Sequence, residues 1–533
     1  MQFKKVKRFL LMTGLWMPPV ITGGAAYGMY RIGMQVTPET LLSIAGCSLL
    51  APLYTWSLNV AAIANGVQDF PLIPTKSYVE THPDWQVSFR KKALQREVPE
   101  ELLSDKPEGI VLGKCEGKYV RVLPGAKGAA HTLVLGGSGS GKTSSVLLCT
   151  LLANQMAREP LSFIMVDVKG ELAEKGFPEK TKLKVFNPRD REQCGFDFFY
   201  DLTESSSQEK VLQVMRRVVY AIFPQNSNAD SFWTDGPRNI CLGLFMYGWR
   251  EKGLHNLPDL VDFVLSKNLK ELLNEVLSEV SEYSTVHKLL VSFGGESAEE
   301  TLSSLAMTII NGLQLIATDQ SLRYLLRETE EKISPAILDE GWSIDLQIED
   351  AFLDQYAPIM TLCVSSCISH LLARKESREN QKVLLVLDEL GRICNSSGQV
   401  GYGSGSLQAL LQIGRSKNAF AMLALQSWSA LQGIYAEGAM TDMLANLPYR
   451  LILNASPEDK MMTDMAIKAF GKYTEKKRQV STGKQGHFSY SFEEKDILQE
   501  KDLLSLPDQG MVVLMSPSGA FLLERCQYFR VFK

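Results

Sequence analysis

The hydrophobic pattern of this chain changes character several times along its length. Two uncharged stretches come first: Phe9–Tyr30, 22 residues between Arg8 and Arg31, and Thr40–Gln68, 29 residues between Glu39 and Asp69. A helix needs about 20 apolar residues to cross a bilayer core, so each is long enough. The first carries Pro18-Pro19 and several glycines, which membrane helices tolerate, with a kink expected. Its length, and the second span directly after it, argue against a cleaved signal peptide. Lys4, Lys5, Lys7 and Arg8 precede the first stretch, whereas Arg31–Glu39 carries one charge of each sign. Positive flanks stay inside, so the N-terminus and everything after Gln68 are expected in the cytoplasm.

Beyond Gln68 the pattern turns to short apolar runs. Thr132–Leu135, Ser162–Asp167, Val383–Glu389, Phe420–Gln426 and Tyr449–Asn454 lack alternation, as strands buried on both faces of a parallel sheet do. From Thr203 to Asp339 the spacing becomes helical, with amphipathic runs over Lys210–Phe223, Leu257–Leu265 and Leu269–Val280. Lys472–Lys484, with five basic residues and one acid, reads as a mobile surface loop open to a DNA contact. Met511–Met515 and Ala520–Glu524, about Pro517-Ser518-Gly519, predict a hairpin.

Composition narrows the class. With 533 residues, 45% hydrophobic and 22% charged, the chain is too long for one ordinary domain and is neither disordered nor fibrous. A net charge of −4 excludes a basic coat for nucleic acid, though not a local basic channel. The Thr203–Asp339 segment carries 12 basic and 19 acidic residues, which suits a protein partner, or a plain solvated helical domain, better than DNA. Nine scattered cysteines fit a reducing compartment rather than a disulfide framework. Cys363, Cys367 and His370 share one helix face, but with apolar neighbours and no fourth ligand they read as a buried structural helix rather than a zinc site.

The chemistry concentrates at His131–Thr143, HTLVLGGSGSGKT. Gly136, Gly137, Ser138, Gly139, Ser140, Gly141, Lys142 and Thr143 match G-x-x-x-x-G-K-[ST] between an apolar strand and a helical stretch. Such a loop points backbone N–H groups at phosphate oxygens, its lysine reaches the β/γ-phosphates, and its threonine ligates magnesium. At the carboxyl end of VLLVLDE, where parallel sheets place ligands, Asp388 is suited to hold Mg2+ and Glu389 to polarise attacking water. Adjacent Asp and Glu favour an ATPase. Asp167 ends another such strand, with Lys169, Gly170 and Glu171 beyond it. Gln426 ends a third, either sensing the γ-phosphate or capping the surface. Arg415 is either an ordinary surface arginine or one placed to reach a neighbouring subunit's nucleotide.

GGSGSGKT, VDVKGEL, Phe232-Trp233, VLLVLDEL, GRSKNAFAMLALQSWSAL and LLSLPDQGMVVLMSPSGAFLL occur in the order typical of type IV secretion coupling proteins. The chain resembles that family over nearly its whole length, including the membrane hairpin. The resemblance implies an α/β fold: a RecA-like P-loop nucleotide domain (111–202 and 341–533) with an all-α domain inserted at 203–340. A two-helix transmembrane hairpin over 1–68 and a linker over 69–110 would precede it.

The same resemblance implies an ATP- and Mg2+-dependent motor in the bacterial inner membrane, a homo-oligomeric ring expected to be hexameric with sites between subunits. Lys142, Thr143, Asp388, Glu389 and Gln426 fall on the family's nucleotide residues, and Arg415 on its arginine finger. Implied partners are single-stranded DNA with its relaxase, protein effectors and the type IV secretion channel. Two features depart from the pattern: Asn395–Ser406 is rich in Gly and Ser, and no long acidic C-terminal extension follows. The alternatives are a septal or chromosomal DNA translocase of the same superfamily, which usually carries more spans and a C-terminal reader domain, and a non-hydrolysing docking platform.

Overall fold

The computed structural model describes residues 96–532 except 126–129, 180, 225–230, 295–298, 393–405, 433, 455–458 and 481–487. Both expected membrane spans, and most of the Asn395–Ser406 stretch, lie outside the described residues. The chain divides into two units. One comprises residues 95–471 and 498–533; the other takes in 472–497 together with 1–94.

The first unit is built on a twelve-stranded mixed sheet. Its strands in chain order begin with β1 (Leu103–Ser104), β2 (Ile110–Cys115), β3 (Lys118–Val122), β4 (Thr132–Leu135), β5 (Ser162–Asp167) and β6 (Leu183–Phe186). A separate two-stranded ladder pairs β7 (Gly195–Phe196) with β8 (Lys332–Ile333). The sheet resumes with β9 (Ser343–Gln347), β10 (Val383–Leu387), β11 (Ala419–Leu425) and β12 (Tyr449–Ile452). Beyond the β13 (Lys472–Val480) and β14 (Phe488–Asp496) hairpin, it closes with β15 (Met511–Ser516) and β16 (Gly519–Glu524).

Seven strands run parallel in the order β12-β4-β11-β10-β5-β9-β6, and β15, β16, β2, β3 and β1 extend the β12 side antiparallel. Every residue of β4, β5, β10 and β11 is buried, which explains their unbroken apolar runs. Phe163, Met165, Leu384, Val386, Phe420 and Met422 form the centre of one core. Truncating one of its phenylalanines to alanine costs roughly 3–5 kcal/mol, because the packed surroundings cannot close the cavity. The expected terminal hairpin is β15–β16, absorbed into the sheet beside β12.

The chain between β7 and β8 is helical. Its helices start where short polar side chains can cap them: Ser207 accepts from the Lys210 N–H, Asn256 from Asp259, Asn268 from Lys270, Ser284 from His287 and Asp319 from Leu322. Each such cap is worth about 1 kcal/mol. The helix Glu299–Thr318 is long and apolar enough to cross a membrane, but Leu302, Leu305, Ile309, Leu313 and Ile316 form a buried stripe on it. Asp350–Ala373 passes the same test and is largely buried. Its Leu353–Ala373 helix packs against β5 and the helix Gln208–Ile222. Cys363 and Cys367 are fully buried there, and His370 bonds Tyr200 and Asp339.

The second unit corrects one expectation. Lys472–Lys484 is not simply a loop: Lys472–Val480 is β13, in register with Phe488–Asp496 over nine residue pairs. The alternation in FSYSF (Phe488, Tyr490, Phe492) is a strand pattern, and an exposed Lys472–Glu494 ion pair at 3.8 Å spans the ladder diagonally.

Candidate functional site

The site grows from the carboxyl end of β4. Leu135 delivers the chain into Gly136, whose N–H donates to the Leu425 carbonyl at 3.1 Å. Side chains are excluded at the first glycine, since a Cβ on Gly136 would stand 2.4 Å from the Ser140 hydroxyl. Gly139 (φ 73°) and Gly141 (φ 88°) adopt the left-handed region that glycine enters without steric cost, and nothing lies within 4 Å of a Cβ at Gly139. The Ser140 and Ser145 hydroxyls are buried without a hydrogen-bond partner. This open cradle with orphaned hydroxyls beneath it fits a phosphate group. The helix leaves the loop through a π turn, Thr143–Leu147, a distortion frequent at functional sites.

Lys142 spans the loop, with its ammonium donating to the Gly136 carbonyl at 2.6 Å and the Gly137 carbonyl at 3.3 Å. Burial pushes its pKa down, while Asp388 and Glu389 act in the opposite direction. Asp388 follows β10, and Thr143 Oγ1 donates to its Oδ2 at 3.0 Å. Burial pushes this carboxyl up, partly offset by the Thr143 hydrogen bond and the Lys142 charge. A hydroxyl and a carboxylate in contact form a hard oxygen donor set suited to Mg2+. Glu389 comes next, half-buried, with its backbone at φ 64°. A glutamate held in that region is strained, as residues at reaction centres often are.

Strand order explains the rest of the constellation. β11 lies between β4 and β10, so Gln426, one residue past it, emerges beside Gly136. Gln426 is exposed there. Arg415 is exposed too, but it sits in the 3-10 turn Gly414–Lys417 before the amino end of β11. The length of a seven-residue strand, roughly 23 Å, separates it from its own loop. The structure therefore gathers Lys142, Thr143, Asp388, Glu389 and Gln426 at one end of the sheet, and Arg415 at the other.

Asp167 has a structural task. Its carboxylate accepts from the Leu172 N–H at 2.7 Å, Ala173 at 3.2 Å and Lys169 at 3.2 Å, capping the helix Glu171–Gly176. Asp345, which no motif marks, is fully buried on β9 near it, with Oδ1 unpartnered. Burial first, and the Asp167 charge second, push the Asp345 carboxyl well above the carboxylate range. Arg525 was equally unmarked in the sequence, yet it stands against the loop from the β12 side.

Among solved structures, the bacterial conjugative coupling protein TrwBdeltaN70 in an unbound form is similar, with TM-score 0.60 and 16% identity over 82% of this chain and 91% of that one. Plasmid coupling protein TrwB in complex with ADP and Mg2+ is similar with TM-score 0.57 and 16% identity, over 82% and 91%. At that identity the likeness establishes the fold. No curated protein matches the chain. The family model described as "Type IV secretion-system coupling protein DNA-binding domain" matches residues 122–518, about three quarters of the sequence. The chain belongs to the type IV secretion-system coupling protein family.

Proposed function

We propose that this chain is a membrane-anchored P-loop ATPase that couples relaxase-bound single-stranded DNA, protein effectors or both to a type IV secretion channel and helps drive conjugative transfer. The observation that carries the reading is the Thr143–Asp388 contact beside Glu389, which joins a phosphate loop to a metal-binding and a water-polarising carboxylate. A docking platform that only binds nucleotide needs no strained glutamate at that place.

In this reading, Lys142 and the loop N–H groups hold the β/γ-phosphates, and Thr143 with Asp388 holds Mg2+. The metal supplies neutralisation of charge on the phosphate oxygens. Glu389 polarises the attacking water, and Gln426 orients it or senses the γ-phosphate. Arg415 acts on the nucleotide of a neighbouring subunit in a ring expected to be hexameric. The hairpin over 1–68 anchors the ring in the bacterial inner membrane, with the body in the cytoplasm. TrwB has been seen with ADP and Mg2+ and with a non-hydrolysable ATP analogue, which supports the choice of ligand.

The test is ATP turnover by the purified full-length chain, with and without single-stranded DNA, across salt concentrations. Turnover that rises with DNA, falls with salt and disappears in Lys142→Ala and Glu389→Gln is expected. Nucleotide binding without turnover, even in the oligomer with DNA present, would replace the motor with the docking platform.

A further inference from the structure

Two strands flank β4 in the sheet, and the chemistry described so far uses only one side. Asp388 and Glu389 approach the loop from β10, beyond β11. The other neighbour is β12, and on that side stands Arg525, the residue after β16. Its Nη1 lies 3.5 Å from where a Cβ on Gly141 would be, and the Ser145 and Ser144 hydroxyls lie 3.2 Å and 3.3 Å from the same point. Its Nη2 donates to the Leu453 carbonyl at 3.3 Å, past the end of β12, and its backbone N–H is fixed to Gly510 at 2.8 Å.

Among the described residues, no other partner takes up the remaining guanidinium donors. Nε is buried without a partner, and no carboxylate among the described residues compensates the charge. An arginine offers five donors in a rigid fork that matches phosphate oxygens. Leaving one half-buried without an anion is costly, and an anion held by the loop would remove that cost. The single Nη2 bond to Leu453 is all that a purely structural role tying β16 to Leu453 would require, and it leaves the unpartnered Nε and the Nη1 beside the loop unexplained.

We infer that Arg525 is a nucleotide-phosphate ligand acting within its own chain, on the inner phosphates that ATP and ADP share. This rests on the nucleotide-binding reading above. The assignment to the inner phosphates follows from sides: the metal-binding pair and Glu389 claim the terminal phosphate, and Arg525 stands on the opposite flank. Arg525 thus differs in kind from Arg415, which lies at the opposite end of the sheet, before the amino end of β11.

Calorimetric titration of the full-length chain with ADP and with a non-hydrolysable ATP analogue tests this. Arg525→Ala weakens both ligands by the same factor, about 10- to 100-fold, the loss expected for a charged hydrogen bond. Arg525→Lys recovers part of that loss, and Lys142→Ala weakens the ATP analogue more than ADP. The ligand-free thermal midpoint of Arg525→Ala stays near wild type while the rise produced by ADP shrinks. Wild-type affinity for both ligands in Arg525→Ala, with Lys142→Ala still impaired, overturns this inference alone. A lowered ligand-free midpoint with unchanged ADP affinity makes the arginine structural and overturns it as well. If the wild-type chain binds neither nucleotide, the nucleotide reading falls and this inference falls with it.

Discussion

Thr143 and Asp388, 245 positions apart in the sequence, meet through one hydrogen bond of 3.0 Å. The bond joins the phosphate loop to the end of β10 and counteracts the burial that raises the Asp388 carboxyl. Asp388→Asn keeps an oxygen acceptor for Thr143 but removes the charge a divalent ion needs. Turnover is expected to fall by two orders of magnitude or more, on the order of what metal charge stabilisation contributes, and to lose its dependence on Mg2+ concentration. Turnover within twofold of wild type at every Mg2+ concentration would remove Asp388 from the metal site.

Glu389, proposed above to polarise water, sits on an unfavourable backbone. At φ 64° a glycine avoids the Cβ clash, so Glu389→Gly should be more stable than Glu389→Ala by about 1 kcal/mol. Both variants should bind ATP without turning it over. The pair of unfolding midpoints, measured without nucleotide, reads the strain independently of catalysis. Equal midpoints would show that the glutamate backbone carries no strain.

Arg415 lies at the wrong end of β11 for its own loop, which makes a mixing experiment decisive. On the proposed role, Arg415→Ala and Lys142→Ala each lose turnover, the former by roughly 10³-fold, the loss typical of an arginine finger. The proposed intersubunit site predicts that in mixed assemblies an intact loop from one variant meets an intact Arg415 from the other, and activity returns. Mixtures as inactive as their components would place the arginine's role within one subunit or outside catalysis.

His131 gives the fold a pH dependence of known sign. Its Nδ1 accepts from the Ala421 N–H at 3.0 Å, its Nε2 has no partner, and burial pushes its pKa to about 4. The unfolded imidazole titrates near its ordinary 6.5, so between those values the unfolded chain holds the extra proton. The contribution is complete above pH 6.5 and is lost as pH falls towards 4, about 3 kcal/mol in all. Denaturant unfolding of wild type and His131→Gln should show their difference shifting by that amount across the window. A difference that stays flat with pH would contradict the buried neutral ring.

Legibility in the sequence followed the physics of each element. The phosphate loop, Asp388 and Glu389 were readable because short range dictates them: glycine spacing in one case, an apolar strand ending in acids in the other. Gln426 could be flagged as a strand end, but its adjacency to Gly136 depends on β11 lying between β4 and β10, which only long-range pairing decides. Arg525 had no local signal at all, because a strand far along the chain carries it to Gly141. β13 was obscured by its charges, because KYTEKKRQV carries four basic residues and one acid and shows no hydrophobic alternation of its own. Its partner's FSYSF carried the pattern instead.

The β7–β8 ladder has a consequence for modularity. The chain leaves for the helical segment at Phe196 and returns at Lys332, with Gly195 beside Lys332 and Phe196 beside Ile333. The join admits no padding, because a Cβ on Gly195 would stand 2.0 Å from the Leu325 carbonyl oxygen. The two strands run parallel, so no tight hairpin can replace what lies between them; a crossover of about a dozen residues is the minimum. Transplanting the helical segment between relatives is therefore a matter of matching two adjacent, co-directional chain ends. Deleting it outright requires a new bridge that turns the chain round twice.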